Sequence, residues 1–344
     1  MKEGGRARGK AGRHPVTGPA IPPSGLSALG PGPEFDRIRH IIARLGSAAG
    51  AIGDDCAVIP EGPGRLVASS DLSVEGVHFR TDWLTLEEIG WRAAAGALSD
   101  LAAEGASAVG VLVSLGVPAG AREEDPVEIM AGVGAAVASV GGVVLGGDLS
   151  GAGQWLVDVM VLGRAERRVT RAGAVPGDGL WVTGRLGGAR AALSAWLGGS
   201  VPPPLAREAF AHPLPRLVAG RALAAAGATA MLDVSDGLGG DAQHLAAASA
   251  CALEIDLDLL PVHPDVDEAA RREAIPSARF AALGGEDYEL LVTLPSSFDI
   301  DAAAPISGST GVPLTRIGAA ADGSGARFRL AGEEVKLKGF DHFA

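Results

Sequence analysis

Apolar residues recur at helical spacing at Phe35, Ile38, Ile42 and Leu45, which predicts a helix opening an ordered region near Glu34. Apolar runs bounded by small or polar residues predict strands at 65–71 (RLVASSD), 107–118 (SAVGVLVSLGVP), VVLGG, and 155–163 (WLVDVMVLG). The stretch LEEIGWRAAAGALSDLAAEGA (86–106) reads as a helix. Thr85 precedes it and Glu88 follows three residues on, the pattern of a capping box. A further helix is expected near 123–139. The polar segment RAERRVTRAGAVPGDG (164–179) breaks the alternation and predicts a domain boundary, dividing the chain into 34–165 and 166–344. Beyond it come strand LWVTG, an Ala-rich helix near 187–197, the Pro-rich linker VPPPL, a helix near 215–227 and strand TAMLDVSD. A helix at 237–249 and strands LEIDL and YELLVTL (288–294) follow. Strands alternating with helices in both halves predict an α/β fold of two domains. Residues 1–33 are rich in Gly, Pro, Arg and Ser, lack periodicity, and read as a disordered arm.

Composition narrows the function. The formal net charge is −12, although the N-terminal arm sets Lys2, Arg6, Arg8, Lys10 and Arg13 against Glu3 alone. An ordered body this acidic is a poor non-specific nucleic-acid binder. The two cysteines, Cys56 and Cys251, make neither a zinc site nor a disulfide framework, and a reducing cytoplasm is expected. No charged residue occurs from Ile129 to Gly147, close to a membrane-spanning length. Gly141-Gly142 interrupts that run, so a buried helix followed by a buried strand is expected and no membrane partner.

Lysine occurs only at positions 2, 10, 336 and 338, so the ordered body holds no phosphate-binding loop of the Gly-x4-Gly-Lys type. Aspartates stand instead at the ends of apolar or small-residue stretches: Asp54, Asp55, Asp71, Asp100, Asp148, Asp233 and Asp236. The plainer reading of any one of them is turn capping. Two bare carboxylates 4 Å apart repel by about 4 kcal/mol at an effective dielectric near 20. As a set they fit magnesium, a hard cation that takes one or two carboxylates plus phosphate oxygens. Cations held this way would let an acidic, lysine-poor protein bind a polyphosphate, and phosphoryl transfer needs mainly positioning and charge neutralisation.

The motifs GDDCAV (53–58), SSDLSVEGVHF (69–79), LSDLAAEGA (98–106), GGD (146–148), LDVSDGLGGD (232–241), GGEDYELLVT (284–293) and GFDHF (339–343) occur in order. Together they resemble the thiamine-monophosphate kinases of the aminoimidazole ribonucleotide synthetase superfamily. The resemblance implies a two-domain α/β fold whose N-terminal domains pair into a β-barrel across a homodimer. It implies transfer of the ATP γ-phosphoryl group to thiamine monophosphate, assisted by several Mg²⁺ ions. By position it implies metal ligands at Asp55, Ser69, Ser70, Asp71, Asp100, Asp148, Asp233 and Asp236. It further implies ATP contacts at Gly147, Asp148, Arg171 and Ser235, and acceptor contacts at His78, Glu286 and Phe340. Asp71, Asp100, Asp148 and Arg171 are the residues expected to carry the transfer.

The sequence departs from the family pattern at Ala97, where Asn is usual, and at Leu149-Ser150-Gly151, where Thr-Thr-Arg is common. Two alternatives stay open: another ATP-dependent synthetase of the superfamily, and a non-catalytic nucleotide- or metal-binding homologue.

Overall fold

The computed structural model describes residues 33–49, 59 and 61–339. The N-terminal arm through residue 32, the GDDCAV motif with Asp54, Asp55 and Cys56, and Phe340 lie outside the described residues.

The first half of the chain supplies α1 (Pro33–Leu45), β1 (Arg65–Val74), α2 (Leu86–Ala103), β2 (Ser107–Pro118), α3 (Asp125–Ser139), β3 (Val143–Ala152) and β4 (Leu156–Ala165). Its four strands form one sheet in the order β1-β4-β2-β3. Only β2 and β3 run parallel; the other two pairings are antiparallel. Val111, Val113 and Leu115 of β2 and Val157, Val159 and Val161 of β4 are buried on one side of the sheet, in a core shared with α2 and α3. Leu66, Leu72 and Met160 occupy the alternate positions and stay exposed.

Helix α2 begins as its sequence predicts. The Thr85 hydroxyl accepts from the Glu88 amide at 3.2 Å, and the Glu88 carboxylate accepts from the Thr85 amide at 2.8 Å. Glu88 also takes a bidentate pair from Arg207, at 2.7 and 2.9 Å. Ala and Gly fill α2, which lets α3 approach it closely. A Cβ at Gly90 would stand 1.8 Å from the Ile129 carbonyl, and one at Gly132 would stand 1.8 Å from the Glu87 carbonyl. The uncharged run 129–147 thus divides between α3 and β3, and no described helix is long and apolar enough to cross a membrane.

The second half supplies β5 (Gly179–Thr183), α4 (Gly188–Leu197), α5 (Pro204–Ala211), α6 (Leu217–Ala225), β6 (Ala230–Val234), α7 (Leu238–Ser249) and β7 (Ala252–Asp256). It continues with α8 (Val266–Arg272), α9 (Ser277–Ala282), β8 (Glu289–Leu294), α10 (Ile300–Thr310), β9 (Leu314–Ala321), β10 (Gly325–Leu330) and β11 (Glu333–Val335). Its seven strands are ordered β11-β10-β7-β9-β5-β8-β6. Strands β5, β6 and β8 are buried along their whole length. This is the two-domain α/β architecture expected from the strand–helix alternation.

The VPPPL segment, expected as a linker, instead runs into the first turn of α5. A proline there loses no hydrogen bond, because the first amides of a helix have no partner. Helices α8, α9 and α10 and strands β9 to β11 had no sequence prediction.

Candidate functional site

Helix α2 carries the site between the two sheets. Arg92, Gly96 and Asp100 recur every fourth residue and share one face. That face, with β1 and the turns following β6 and preceding β8, lines a cavity of about 560 Å³. A second cavity, of about 710 Å³, opens beside it between β1, the C-terminal end of α2 and the 168–172 segment. Asp100, Arg171 and Asp233 line both.

Strand alternation sorts the β1 residues. Ser69 and Asp71 pair with Val161 and Val159 and face α2, where the Ser69 hydroxyl donates to Asp100 Oδ2 at 2.5 Å. Ser70 pairs with Met160 on the opposite face and donates to Asp158 at 2.8 Å. From β6, the buried Asp233 accepts a short hydrogen bond from the Ser99 hydroxyl.

The turn after β6 is held by a carboxylate the sequence reading passed over. Asp241 accepts from the amides of Ser235 and Asp236, both at 3.1 Å, and Ser235 and Asp236 stand on the wall of the smaller cavity. This turn meets the segment before β8 backbone to backbone. The Glu286 amide donates to the Ser235 carbonyl at 2.7 Å, and a Cβ at Gly285 would stand 2.5 Å from that oxygen.

These carboxylates repel one another. Asp233 is pushed up to about 7, by burial first and then by Asp100, against the opposing pull of its Ser99 bond. Asp71 is pushed up to about 6, by desolvation and then by Asp100 and Asp158. Asp71 is reached by solvent, whereas Asp233 is buried. Asp241 rises to about 8, chiefly through burial and then through Asp233 and Asp236.

Among the described residues, no group of three carboxylate, histidine or cysteine side chains is placed to hold a metal ion. The described residues therefore present no complete cage there. Their crowded carboxylates suit a cation that completes its shell with phosphate oxygens and water.

The remaining expected residues distribute as follows. His78 and Glu286 line the smaller cavity. His78 Nδ1 accepts from the Val74 amide at 3.1 Å, which leaves the proton of a neutral ring on Nε2. Gly147 and Asp148 do not join the cluster. They sit on β3, the far edge of the sheet from β1, and register places Asp148 in the row of Leu72. Three strand spacings put it about 14 Å from β1.

Arg92, Leu193 and Tyr288 also line the smaller cavity and went unremarked in the sequence. The four-residue recurrence on α2 was the signal that reaches Arg92. Asp287 turns away from the cavities to accept from the Gly187 amide at 2.8 and 3.0 Å, capping α4 from a hundred residues along the chain.

Comparison with known proteins identifies the family. Residues 53–165 match the AIR synthase related protein N-terminal domain, and residues 175–331 match the AIR synthase related protein C-terminal domain. A thiamine-monophosphate kinase of Halobacterium salinarum is 36% identical over 307 residues, covering 88% of this chain and 99% of the relative. The crystal structure of thiamine-monophosphate kinase from Stenotrophomonas maltophilia superposes with a TM-score of 0.77 at 32% identity, over 89% of this chain and 98% of that one. AaThiL complexed with AMPPCP and TMP superposes with a TM-score of 0.73 at 30% identity, over 81% of this chain and 87% of that one. With both domains matched and a relative covered almost end to end, the chain belongs to the thiamine-monophosphate kinase family of AIR synthase related proteins.

Proposed function

We propose that this chain transfers the γ-phosphoryl group of ATP directly to the phosphate of thiamine monophosphate, giving thiamine diphosphate. The observation that carries the reading is the pair of cavities meeting at Asp100, Asp233 and Arg171. Two phosphate-bearing substrates entering from the two sides would meet there. The larger cavity, with Arg65 and Arg168 on its wall, suits the nucleotide; the smaller suits the acceptor. AaThiL was solved with AMPPCP and TMP together, a pairing of the same kind.

Asp71, Asp100, Asp233 and Asp236 would hold magnesium, with the Ser69 hydroxyl beside them. Bound there, magnesium would neutralise charge on the donor phosphates and on the developing transition state. Arg171, between the two cavities, supplies a fixed cation to the same phosphates. The acceptor oxygen is already anionic at neutral pH, so no general base is needed. His78 would offer its Nε2–H to the acceptor phosphate.

The exposed row of Leu66, Leu72 and Met160 supports pairing of two N-terminal domains, 34–165, through their uncovered sheet faces. Closing two such sheets into a barrel with β3 of one protomer beside β1 of its partner would set Gly147 and Asp148 of one chain next to the strand that carries Asp71 in the other. That arrangement accounts for the distance between these residues within one chain. Residues 166–344 form the other domain, and a cytoplasmic setting follows from the substrates.

The test is conversion of thiamine monophosphate with Mg-ATP, read as thiamine diphosphate by chromatography, with EDTA and free thiamine as controls. Product that depends on magnesium and on the phosphorylated acceptor supports the reading. Equal turnover of free thiamine contradicts it.

A further inference from the structure

We propose that Arg92 is a positioning residue that aims Glu286 at the amino-bearing pyrimidine end of the acceptor and so sets affinity for that substrate. The proposal rests on the acceptor assignment above.

Arg92 belongs to α2 in the first domain but makes its contacts in the second. It is 4% exposed. Its Nη1 donates to the Phe210 carbonyl at 2.6 Å, and its guanidinium lies 3.7 Å from the centroid of the Phe210 ring. Its Nη2 forms a short ion pair with Glu286 Oε1. The Phe210 carbonyl and ring hold the planar fork in one place and set Nη2 beside Glu286, a task for which Lys is a poor substitute.

Glu286 needs such an anchor. Its backbone adopts φ +66, and Tyr288 two residues on adopts φ +50, both in the left-handed region that disfavours residues with a side chain. Strain of this kind persists where the surroundings dictate it. Here they comprise the Glu286 amide bond to Ser235, the Tyr288 amide bond to Val234 at 2.9 Å, and Arg92.

A purely structural role explains the pair poorly, because buried ion pairs are commonly replaceable by apolar residues without loss of stability. What the pair achieves is orientation. One carboxylate oxygen is tied to Arg92, while Oε2 accepts no hydrogen bond among the described residues and belongs to the cavity wall. Val77, Ala93 and Leu193 line the same cavity. A carboxylate oxygen on a wall that also carries apolar side chains suits the amino group of a neutral aromatic ring, as the pyrimidine of thiamine has. Glu286 stands on this wall and Arg171 at the junction, so the two would take opposite ends of one acceptor.

The test compares wild type with Arg92→Met, Arg92→Lys and Trp91→Phe by steady-state kinetics, thiamine monophosphate calorimetry and thermal melting. Trp91 is the control, because its Nε1 donates to the Pro213 carbonyl at 3.0 Å and so joins the same helix to the second domain without touching Glu286. We expect Arg92→Met to raise KM and Kd for thiamine monophosphate about tenfold or more, with KM for ATP and kcat little changed. Arg92→Lys should recover part of that loss, and Trp91→Phe should leave the acceptor KM as it is. If Arg92→Met leaves the acceptor KM unchanged, or raises the KM for ATP as much as the KM for thiamine monophosphate, the positioning role is wrong. A wild-type protein that neither binds nor converts thiamine monophosphate would remove the acceptor assignment itself, and this proposal with it.

Discussion

The Ser69 hydroxyl donates to Asp100 Oδ2 at 2.5 Å and ties β1 to α2 where the two cavities join. Hydrogen bonds to charged groups contribute about 1.5–3 kcal/mol when buried, and partial exposure brings this one to about 1 kcal/mol. Ser69→Ala should therefore cost about 1 kcal/mol in urea unfolding and should slow turnover as Asp100 loses its fixed position. Unchanged unfolding and unchanged turnover would show that this bond orders nothing.

Asp233 should trade stability against activity. Its carboxyl is pushed up to about 7, so ionisation at neutral pH is unfavourable in the folded, metal-free protein. Asp233→Asn keeps the shape and can retain the Ser99 bond while removing the charge. The variant should melt at the same or a higher temperature without metal, and turnover should fall on the order of a hundredfold or more. Lower stability together with intact turnover would assign Asp233 to the scaffold alone.

The upward shifts fix a direction with pH. Between the ordinary carboxyl range and pH 7, the folded state holds protons at Asp71 and Asp233 that the unfolded chain has released. The contribution of these groups to stability therefore falls as pH rises through that window. Calorimetric melting of wild type against Asp233→Asn isolates one of them. The gap between the two should widen in favour of the variant from pH 5 to pH 8 without metal. Magnesium should close the gap, and more so at pH 8, where it displaces fewer protons. A gap that stays constant with pH would contradict the shift at Asp233.

Gly285 is required by proximity rather than by its backbone angles. A methyl group there would stand 2.5 Å from the Ser235 carbonyl and force apart the two turns that line the smaller cavity. Gly285→Ala should cost about 1–3 kcal/mol and weaken calorimetric binding of thiamine monophosphate. Wild-type binding would mean that the turns can separate without consequence for the acceptor.

The sequence was most legible where periodicity and capping agree. Thr85 and Glu88 located the start of α2, and the apolar runs located β1, β2, β4 and β8. The short amphipathic helices α8 and α9, of seven and six residues, span too few turns for a period to show. The hairpin of β10 and β11 carries charges that obscure strand alternation. Within the site, Asp71, Asp100, Asp233 and Asp236 could be read from their motifs and do converge. Side-chain facing was legible in principle, since Ser69 and Ser70 must point to opposite faces of one strand. Register was not legible, and register is what places Asp148 at the far edge of the sheet from Asp71. Nor could the sequence show that Asp287 caps α4, which depends on which turns meet in space. The bond of Asp241 back to the 235–236 turn is local, and its spacing of five to six residues was the available signal.

The most direct test follows the transferred group. ATP radiolabelled at the γ-phosphate is mixed with thiamine monophosphate, magnesium and the full-length protein, and ADP, thiamine diphosphate and free phosphate are counted in the same sample. The account predicts label in the terminal phosphate of thiamine diphosphate, with equal amounts of ADP and no accumulation of free phosphate. Label released as free phosphate without thiamine diphosphate, from folded protein, would contradict direct transfer between the two cavities.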